Sequence, residues 1–135
     1  MKTIANAPVL VAGDDPESLR DLGGALGLAL AVRGLAVEIA VGEWEALELI
    51  ARKKFALISL DAGPDAEKKS LETLNRLRAG PGPNRWTPTV IATNRNCRHG
   101  ALEALSVRNV KFLKKPLDAG SLRIVLDRFL AGHRP

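Results

Sequence analysis

The sequence predicts an α/β fold in which one parallel β-sheet is covered by helices on both faces. Strand-like apolar runs alternate with helix-like runs five times along 135 residues, as in folds built from right-handed βαβ units. Residues 55–60 are apolar on both faces apart from Ser59, which is typical of a central parallel strand. The length suits one domain with its own core. We therefore expect a single domain over residues 1–135, with its core at about 8–131.

The first strand–helix unit has clear boundary signals. The strand is predicted at residues 8–13. Asp15 can serve as the N-cap of the helix that follows, and Pro16 suits its first position. Leucines on one face continue this helix to about Arg33, and Gly34 ends it.

The remaining elements follow the same alternation of strand and helix. In the second helix, Trp44, Leu47, Ile50 and Ala51 share one face, which we expect to turn toward the sheet. The glycine- and proline-rich residues 79–84 are typical of a surface loop. In chain order, the predicted elements are strand 35–40, helix 43–53, strand 55–60, a helix containing Leu71, Leu74 and Leu77, strand 87–92, helix 98–106, strand 110–113, and a last helix capped by Asp118 and closed by Gly132.

Five units of this length fit the flavodoxin-like doubly wound sheet, in which the strand order is 2-1-3-4-5. Strands one and three are then neighbours, and the chain leaves them toward opposite faces. Ligands of such folds bind beyond the carboxyl ends of the strands at this switch point.

The composition excludes several protein classes. The chain is 46% hydrophobic and 26% charged, as in ordinary globular proteins. Cys97 is the one cysteine, so no internal disulfide can form. No apolar run approaches the roughly 18 residues of a membrane span, and the amino terminus lacks the apolar segment of a signal peptide. We expect a cytoplasmic protein with no membrane partner.

The net charge of +5 is unevenly distributed. Residues 1–67 contain six Lys or Arg against eleven Asp or Glu, whereas residues 68–135 contain fourteen against four. A basic half can attract nucleic acid or an acidic protein, or it can be a solvated surface. Because no loop shows the interleaved aromatics of a base-stacking platform, we do not expect nucleic-acid binding.

Four polar residues each follow an apolar run of a predicted strand: Asp14, Asp61, Thr93 and Lys115. Singly, each has an ordinary interpretation as a turn, cap or strand residue. Their shared position favours a site, because the carboxyl ends of parallel strands meet at one edge. Two carboxylates, a hydroxyl and an ammonium there suit a divalent cation and a phosphoryl group, and an aspartate can form an acyl phosphate.

At these residues the chain resembles the receiver domains of two-component response regulators. Residues 55–61 resemble the family's third strand, which ends in the phosphoacceptor aspartate. Residues 87–93 resemble its fourth strand, which ends in a signalling hydroxyl. Residues 112–117 resemble its fifth strand, with an aromatic residue three positions before Lys115-Pro116. Residues 43–50 resemble its second helix.

The resemblance implies a mechanism. Asp61 would accept a phosphoryl group from a histidine kinase or a phosphotransfer protein, with Thr93 and Lys115 completing the catalytic set. Mg²⁺ would lie on Asp14, Asp61 and the backbone carbonyl of Gly63. Thr93 would then move toward the phosphoryl group and Phe112 would turn inward, as in a two-state switch biased by a new charge. The resemblance thus implies a signalling domain, one able to catalyse its own phosphoryl transfer and dephosphorylation, and not a conventional enzyme.

The resemblance also implies a partner surface on the predicted fourth helix, fifth strand and fifth helix. This surface is basic, which indicates either a solvated face or a docking surface for an acidic downstream protein. Little sequence follows the last predicted helix, so we expect a stand-alone receiver. The cations concerned are Arg95, Arg98, Arg108, Lys111 and Lys114.

Three departures from the family pattern leave an alternative open. Gly13 stands where the family usually carries an acid, next to the retained Asp14. Asp15 falls on the family's optional third acid, where it can ligate metal or cap the helix. The loop at residues 62–67 has its proline in a different register. The alternative is a degenerate receiver-like module that binds a protein partner without phosphorylation.

Overall fold

The computed structural model of the chain describes residues 7–61, 66–93, 109–114 and 118–132. Within these residues, strands and helices alternate as the sequence predicts. None of the described helices is long and apolar enough to cross a membrane. The strands are β1 (Val9–Gly13), β2 (Val37–Val41), β3 (Leu57–Asp61), β4 (Thr89–Thr93) and β5 (Val110–Lys114), and the helices are α1 (Pro16–Ala31), α2 (Glu43–Arg52), α3 (Ala66–Ala79) and α4 (Ala119–Gly132).

The strands form one parallel sheet in the order β2-β1-β3-β4-β5. The predicted α/β class and the flavodoxin-like strand order are therefore confirmed. β1 and β3 are neighbours, so the switch point lies between them. Their register places Gly13 opposite Asp61 at the carboxyl end of both strands.

The core has two layers because alternate strand residues point to opposite faces. From β1, Val9 and Val11 belong to one layer, and Leu10 and Ala12 to the other. Burial of each large apolar side chain stabilises the fold by about 2 kcal/mol. The first layer also contains Leu19, Leu26, Leu30, Leu57, Leu122 and Leu126, and the second contains Ile50, Phe55, Ile58, Leu74 and Ile91.

Two helices begin at the predicted N-caps. Asp15 Oδ1 accepts from the backbone N of Glu17 at 3.2 Å, and its Oδ2 accepts from Ser18 Oγ at 2.6 Å. These bonds, the one from Ser18 above all, lower the pKa of Asp15. Asp118 Oδ1 accepts from the backbone N of Ser121 at 2.8 Å.

One detail of the prediction was wrong. Trp44 is 81% exposed instead of facing the sheet, and the buried stripe of α2 runs through Ala46 and Ile50. Trp44 lies in the first turn of α2. β3 ends at Asp61, as the resemblance of residues 55–61 to the family's third strand implies. The predicted helix at residues 98–106 lies outside the described residues.

Candidate functional site

The carboxyl edge of the sheet brings Asp14 and Asp61 together. Asp61 ends the central strand β3 and is half-buried, whereas Asp14 follows β1 and is exposed. The backbone N of Asp14 donates to the carbonyl O of Asp61 at 3.3 Å. The two carboxylates therefore lie on adjacent chain segments, and their positions along the strand direction differ by one residue.

Gly13 lies beside this pair, at a point where a side chain on β1 would meet the backbone of β3. A Cβ atom on Gly13 would be 2.5 Å from the carbonyl O of Asp61 and 3.3 Å from Leu19 Cδ2. The first distance is far inside normal contact, so any side chain here would require the strands to shift. The backbone around Gly13 therefore fits glycine and does not fit an acidic residue.

Thr93 ends β4 on the far side of Asp61. Leu60 of β3 is opposite Ile91 of β4, so Thr93 lies one residue beyond the level of Asp61. Thr93 is in turn opposite Lys114, which ends β5. The backbone therefore places Thr93 at the same edge as the two carboxylates.

The other predicted site residues are placed less completely. Phe112 in β5 is half-buried and packs against the core layer that contains Ile91. Gly63, Lys115 and the side chain of Thr93 lie outside the described residues. Of the cations on the predicted partner surface, Lys111 is described and exposed, whereas Arg95, Arg98, Arg108 and the side chain of Lys114 lie outside.

The described carboxylates fit a hydrated magnesium ion better than a protein cage. Asp15 serves as the N-cap of α1, which is one of the two roles that the sequence offered for it. Among the described residues, no group of three His, Cys, Asp or Glu side chains could hold a metal. Asp14 and Asp61 supply two carboxylates, which suits Mg²⁺ because it commonly keeps several waters and takes one or two carboxylates plus phosphate oxygens.

A buried hydroxyl lies two residues before Asp61. Ser59 is 1% exposed, and its Oγ has no hydrogen-bond partner in the described part of the chain. A buried hydroxyl without a partner destabilises the folded state.

A buried polar cluster that the sequence did not predict lies at the opposite, amino edge of the sheet. Asn84 is fully buried, and its Nδ2 donates to the carbonyl O atoms of Ile50, at 2.7 Å, and Lys53, at 2.5 Å. Its Oδ1 accepts from the backbone N of Phe55 at 2.8 Å and from Thr87 Oγ1 at 2.9 Å. One side chain thus joins the connection that follows α2 to the loop that precedes β4.

The buried guanidinium of Arg78 fixes the same loop. It donates to the carbonyl O atoms of Arg85 and Thr87, each at 2.9 Å, and of Asn109 at 3.3 Å. Desolvation lowers the pKa of Arg78 to about 10. The sequence offered no signal for this role, because arginine at the end of a helix is usually solvated.

Comparison with known proteins rests on structure, since no protein-family model and no curated protein matches the sequence. The signal receiver domain of a signal transduction histidine kinase from Syntrophus aciditrophicus aligns with a TM-score of 0.69 and 21% identity, over 95% of this chain and 92% of that chain. The receiver domain of a sensor histidine kinase from Pseudomonas aeruginosa PAO1, which has a magnesium ion coordinated in its active site cleft, aligns with a TM-score of 0.66 and 21% identity, over 93% and 98%.

A third structure extends the comparison to a phosphorylated protein. A response regulator from Burkholderia pseudomallei, with a phosphorylated aspartic acid, a calcium ion and citrate, aligns with a TM-score of 0.63 and 24% identity, over 93% of this chain and 72% of that chain. At these identities the likeness is one of fold, and it extends over nearly the whole chain. The chain has the fold of the receiver domains of two-component response regulators.

Proposed function

We propose that the chain is a cytoplasmic two-component receiver, one domain over residues 1–135, that accepts a phosphoryl group on Asp61. The donor would be the phosphohistidine of a histidine kinase or a phosphotransfer protein. The observation that carries this proposal is the position of Asp61, at the carboxyl end of the central strand beside Asp14, in a receiver fold.

The chemistry needs a carboxylate nucleophile and neutralisation of charge. A carboxylate oxygen of Asp61 forms a bond to phosphorus while the bond from phosphorus to the donor imidazole breaks, and the nitrogen keeps the electron pair. Lys115 would pair with a phosphoryl oxygen, and Thr93 would donate to another. Mg²⁺ held by Asp14, Asp61 and the Gly63 carbonyl would supply further positive charge to these oxygens.

The related structures support this assignment by analogy. One has magnesium in its active site cleft, and another has a phosphorylated aspartic acid. A phosphoryl group on Asp61 would add charge beside Thr93, and Phe112 and the surface around β5 would respond. An acidic downstream protein would then bind the basic surface that includes Lys111.

The alternative function is a receiver-like module that binds its partner without phosphorylation. The closeness of β1 and β3 at Gly13 favours it, because this position has no room for a second acid. The two functions differ in one measurable property, which is whether Asp61 takes up phosphate.

The test is incubation of the full chain with acetyl phosphate and Mg²⁺, followed by intact-protein mass spectrometry. We expect the mass of one added phosphoryl group in the native chain and none in Asp61→Asn. Asp21→Asn, at an exposed position on α1, is the matched control and should be modified like the native chain.

A second phosphoryl donor makes the test independent of whether acetyl phosphate reacts with this chain. A phosphorylated histidine phosphotransfer protein should also transfer its group to the native chain. If neither donor adds a phosphoryl group, or if Asp61→Asn is modified equally, the phosphoacceptor role is wrong and the phosphate-independent module is favoured.

A further inference from the structure

An exposed tryptophan lies among cations at the amino edge of the sheet, at the opposite end from Asp61. We call Arg52, Lys54, Arg85 and Trp86 the amino-edge patch. Trp86 is 49% exposed, and the guanidinium carbon of Arg85 lies 5.2 Å from the centre of its indole. The length of β3 separates this patch from Asp61 by about 15 Å at the usual rise per strand residue.

The two segments that form the patch are bound to each other. Lys54 Nζ donates to Thr87 Oγ1 at 3.0 Å, and Thr87 follows Trp86 in the chain. Asn109 Nδ2 donates to the carbonyl O of Trp86 at 2.9 Å. Together with the hydrogen bonds of Asn84 and Arg78, these contacts hold Trp86 in place, so its exposure is a fixed feature of the surface.

The charge of the patch is not balanced by nearby acids. Neither Arg52, Lys54 nor Arg85 forms an ion pair with a carboxylate of the described residues. The carboxylate of Glu38, close to this edge, is bound by Lys53 at 2.5 Å. Partial burial, and in addition the charge of Arg78, lowers the pKa of Lys54, as expected where cations crowd together.

Seven acids of the described residues lie at the other end of the strands. They are at the carboxyl ends of strands or in the first turns of the helices that follow. Within the described residues, these acids and the amino-edge patch are therefore at opposite edges of the sheet. These acids are Asp14, Asp15, Glu17, Glu43, Glu45, Asp61 and Asp118.

Sites that bind single-stranded nucleic acid combine cations with exposed aromatic rings, and the amino-edge patch has both. The cations pair with phosphates, while the indole stacks on a base, which gains affinity without sequence readout. A duplex would offer the same phosphates but no free base faces, and an acidic peptide would offer charge without a planar ring at every residue. Single-stranded nucleic acid therefore matches both the cations and the exposed indole.

We propose that the amino-edge patch binds single-stranded nucleic acid, with Trp86 stacking on a base and Arg52, Lys54 and Arg85 pairing with phosphates. This reverses the expectation from the sequence, which rested on the absence of interleaved aromatic residues in the loops. The proposal is independent of phosphorylation, since the patch and Asp61 are at opposite edges.

Tryptophan fluorescence tests the proposal directly. The chain has two tryptophans, and Trp44→Phe changes an exposed residue of α2 to leave Trp86 as the one indole. Titration of this variant with a short oligodeoxythymidylate at low salt should quench the fluorescence, with a Kd in the micromolar range. Three phosphate contacts predict a slope of about −2 for log Kobs against log salt concentration.

Paired charge variants separate the patch from net charge. Arg52→Gln with Lys54→Gln should weaken binding about tenfold and reduce the slope to about −0.7. Arg20→Gln with Arg123→Gln removes the same charge from exposed positions on α1 and α4 and should retain the slope of the parent. Circular dichroism should show that both variants are folded.

Three results would overturn the proposal. The first is no quenching at low salt, and the second is an equal loss of affinity in the two charge variants, which would indicate attraction by net charge alone. The third is equally tight binding of polyglutamate, which would indicate an acidic protein as the partner of this surface. Quenching by oligodeoxythymidylate but not by heparin would support stacking of Trp86 on a base.

Discussion

Replacement of Asn84 by alanine should destabilise the fold strongly, although Asn84 lies in a loop rich in glycine and proline. Its side chain is 0% exposed and hydrogen-bonded to Ile50, Lys53, Phe55 and Thr87. Alanine would deprive all four residues of this hydrogen-bonding partner at once, and three of the four bonds are fully buried.

The magnitude follows from the groups that would be left unpaired. The backbone N–H of Phe55 and the carbonyl of Ile50 are both in buried hydrogen bonds to Asn84. Each buried group without a partner costs about 1–3 kcal/mol. The Lys53 carbonyl is nearer to the surface and can turn to water. We therefore expect Asn84→Ala to lower the free energy of unfolding by about 3–5 kcal/mol, a large part of a typical domain's stability.

Urea unfolding followed by far-ultraviolet circular dichroism measures this change. The matched control is Asn75→Ala, at an exposed position of α3, which should change stability by only a few tenths of a kcal/mol. A loss of less than about 1 kcal/mol in Asn84→Ala would contradict this expectation, since it would mean that these hydrogen bonds are replaced or absent in solution.

Three further substitutions should change the stability of the fold, two of them lowering it and one raising it. Gly13→Ala should lower the free energy of unfolding by about 1–3 kcal/mol, because its Cβ atom would lie 2.5 Å from a carbonyl oxygen; Gly24→Ala, where nothing lies within 4 Å, should be neutral or stabilising in the same urea titration. Ser59→Ala should raise the midpoint of urea unfolding, because it removes a buried hydroxyl that has no partner among the described residues; a lower midpoint would mean that the hydroxyl is satisfied. Asp15→Ala should lower the melting temperature near neutral pH. The difference from the native chain should shrink as the pH falls below 3.8, because the folded-state pKa of Asp15 is lowered and its stabilising contribution is lost on protonation. A difference that stays constant down to acid pH would contradict this.

The sheet could be predicted because its signals are local. The apolar runs, the capping aspartates and Gly34 each act within a few residues, and the alternation of elements leaves few possible topologies. The edge that carries Asp14 and Asp61 followed from that topology alone.

The contacts that escaped prediction are between residues far apart in sequence. Asn84 bonds to residues 29 and 34 positions away, and residues 80–84 have the composition of an ordinary surface loop. Trp44 was misleading for another reason, because an indole is as compatible with a buried face as with an exposed one. Gly13 differed in another way: the sequence showed that an acid was missing, whereas the structure shows that the strands leave no space for one.

Among the described residues, the acids at the carboxyl edge and the cations of the amino-edge patch form an electric dipole along the strands. A net positive charge draws the chain toward any polyanion, and the dipole also turns it during the approach, so that the amino edge arrives first. A molecule attached in this orientation would present Asp14 and Asp61 to the solvent on its outer side. Attachment to a polyanion and encounter with a phosphoryl donor would therefore be compatible within one molecule.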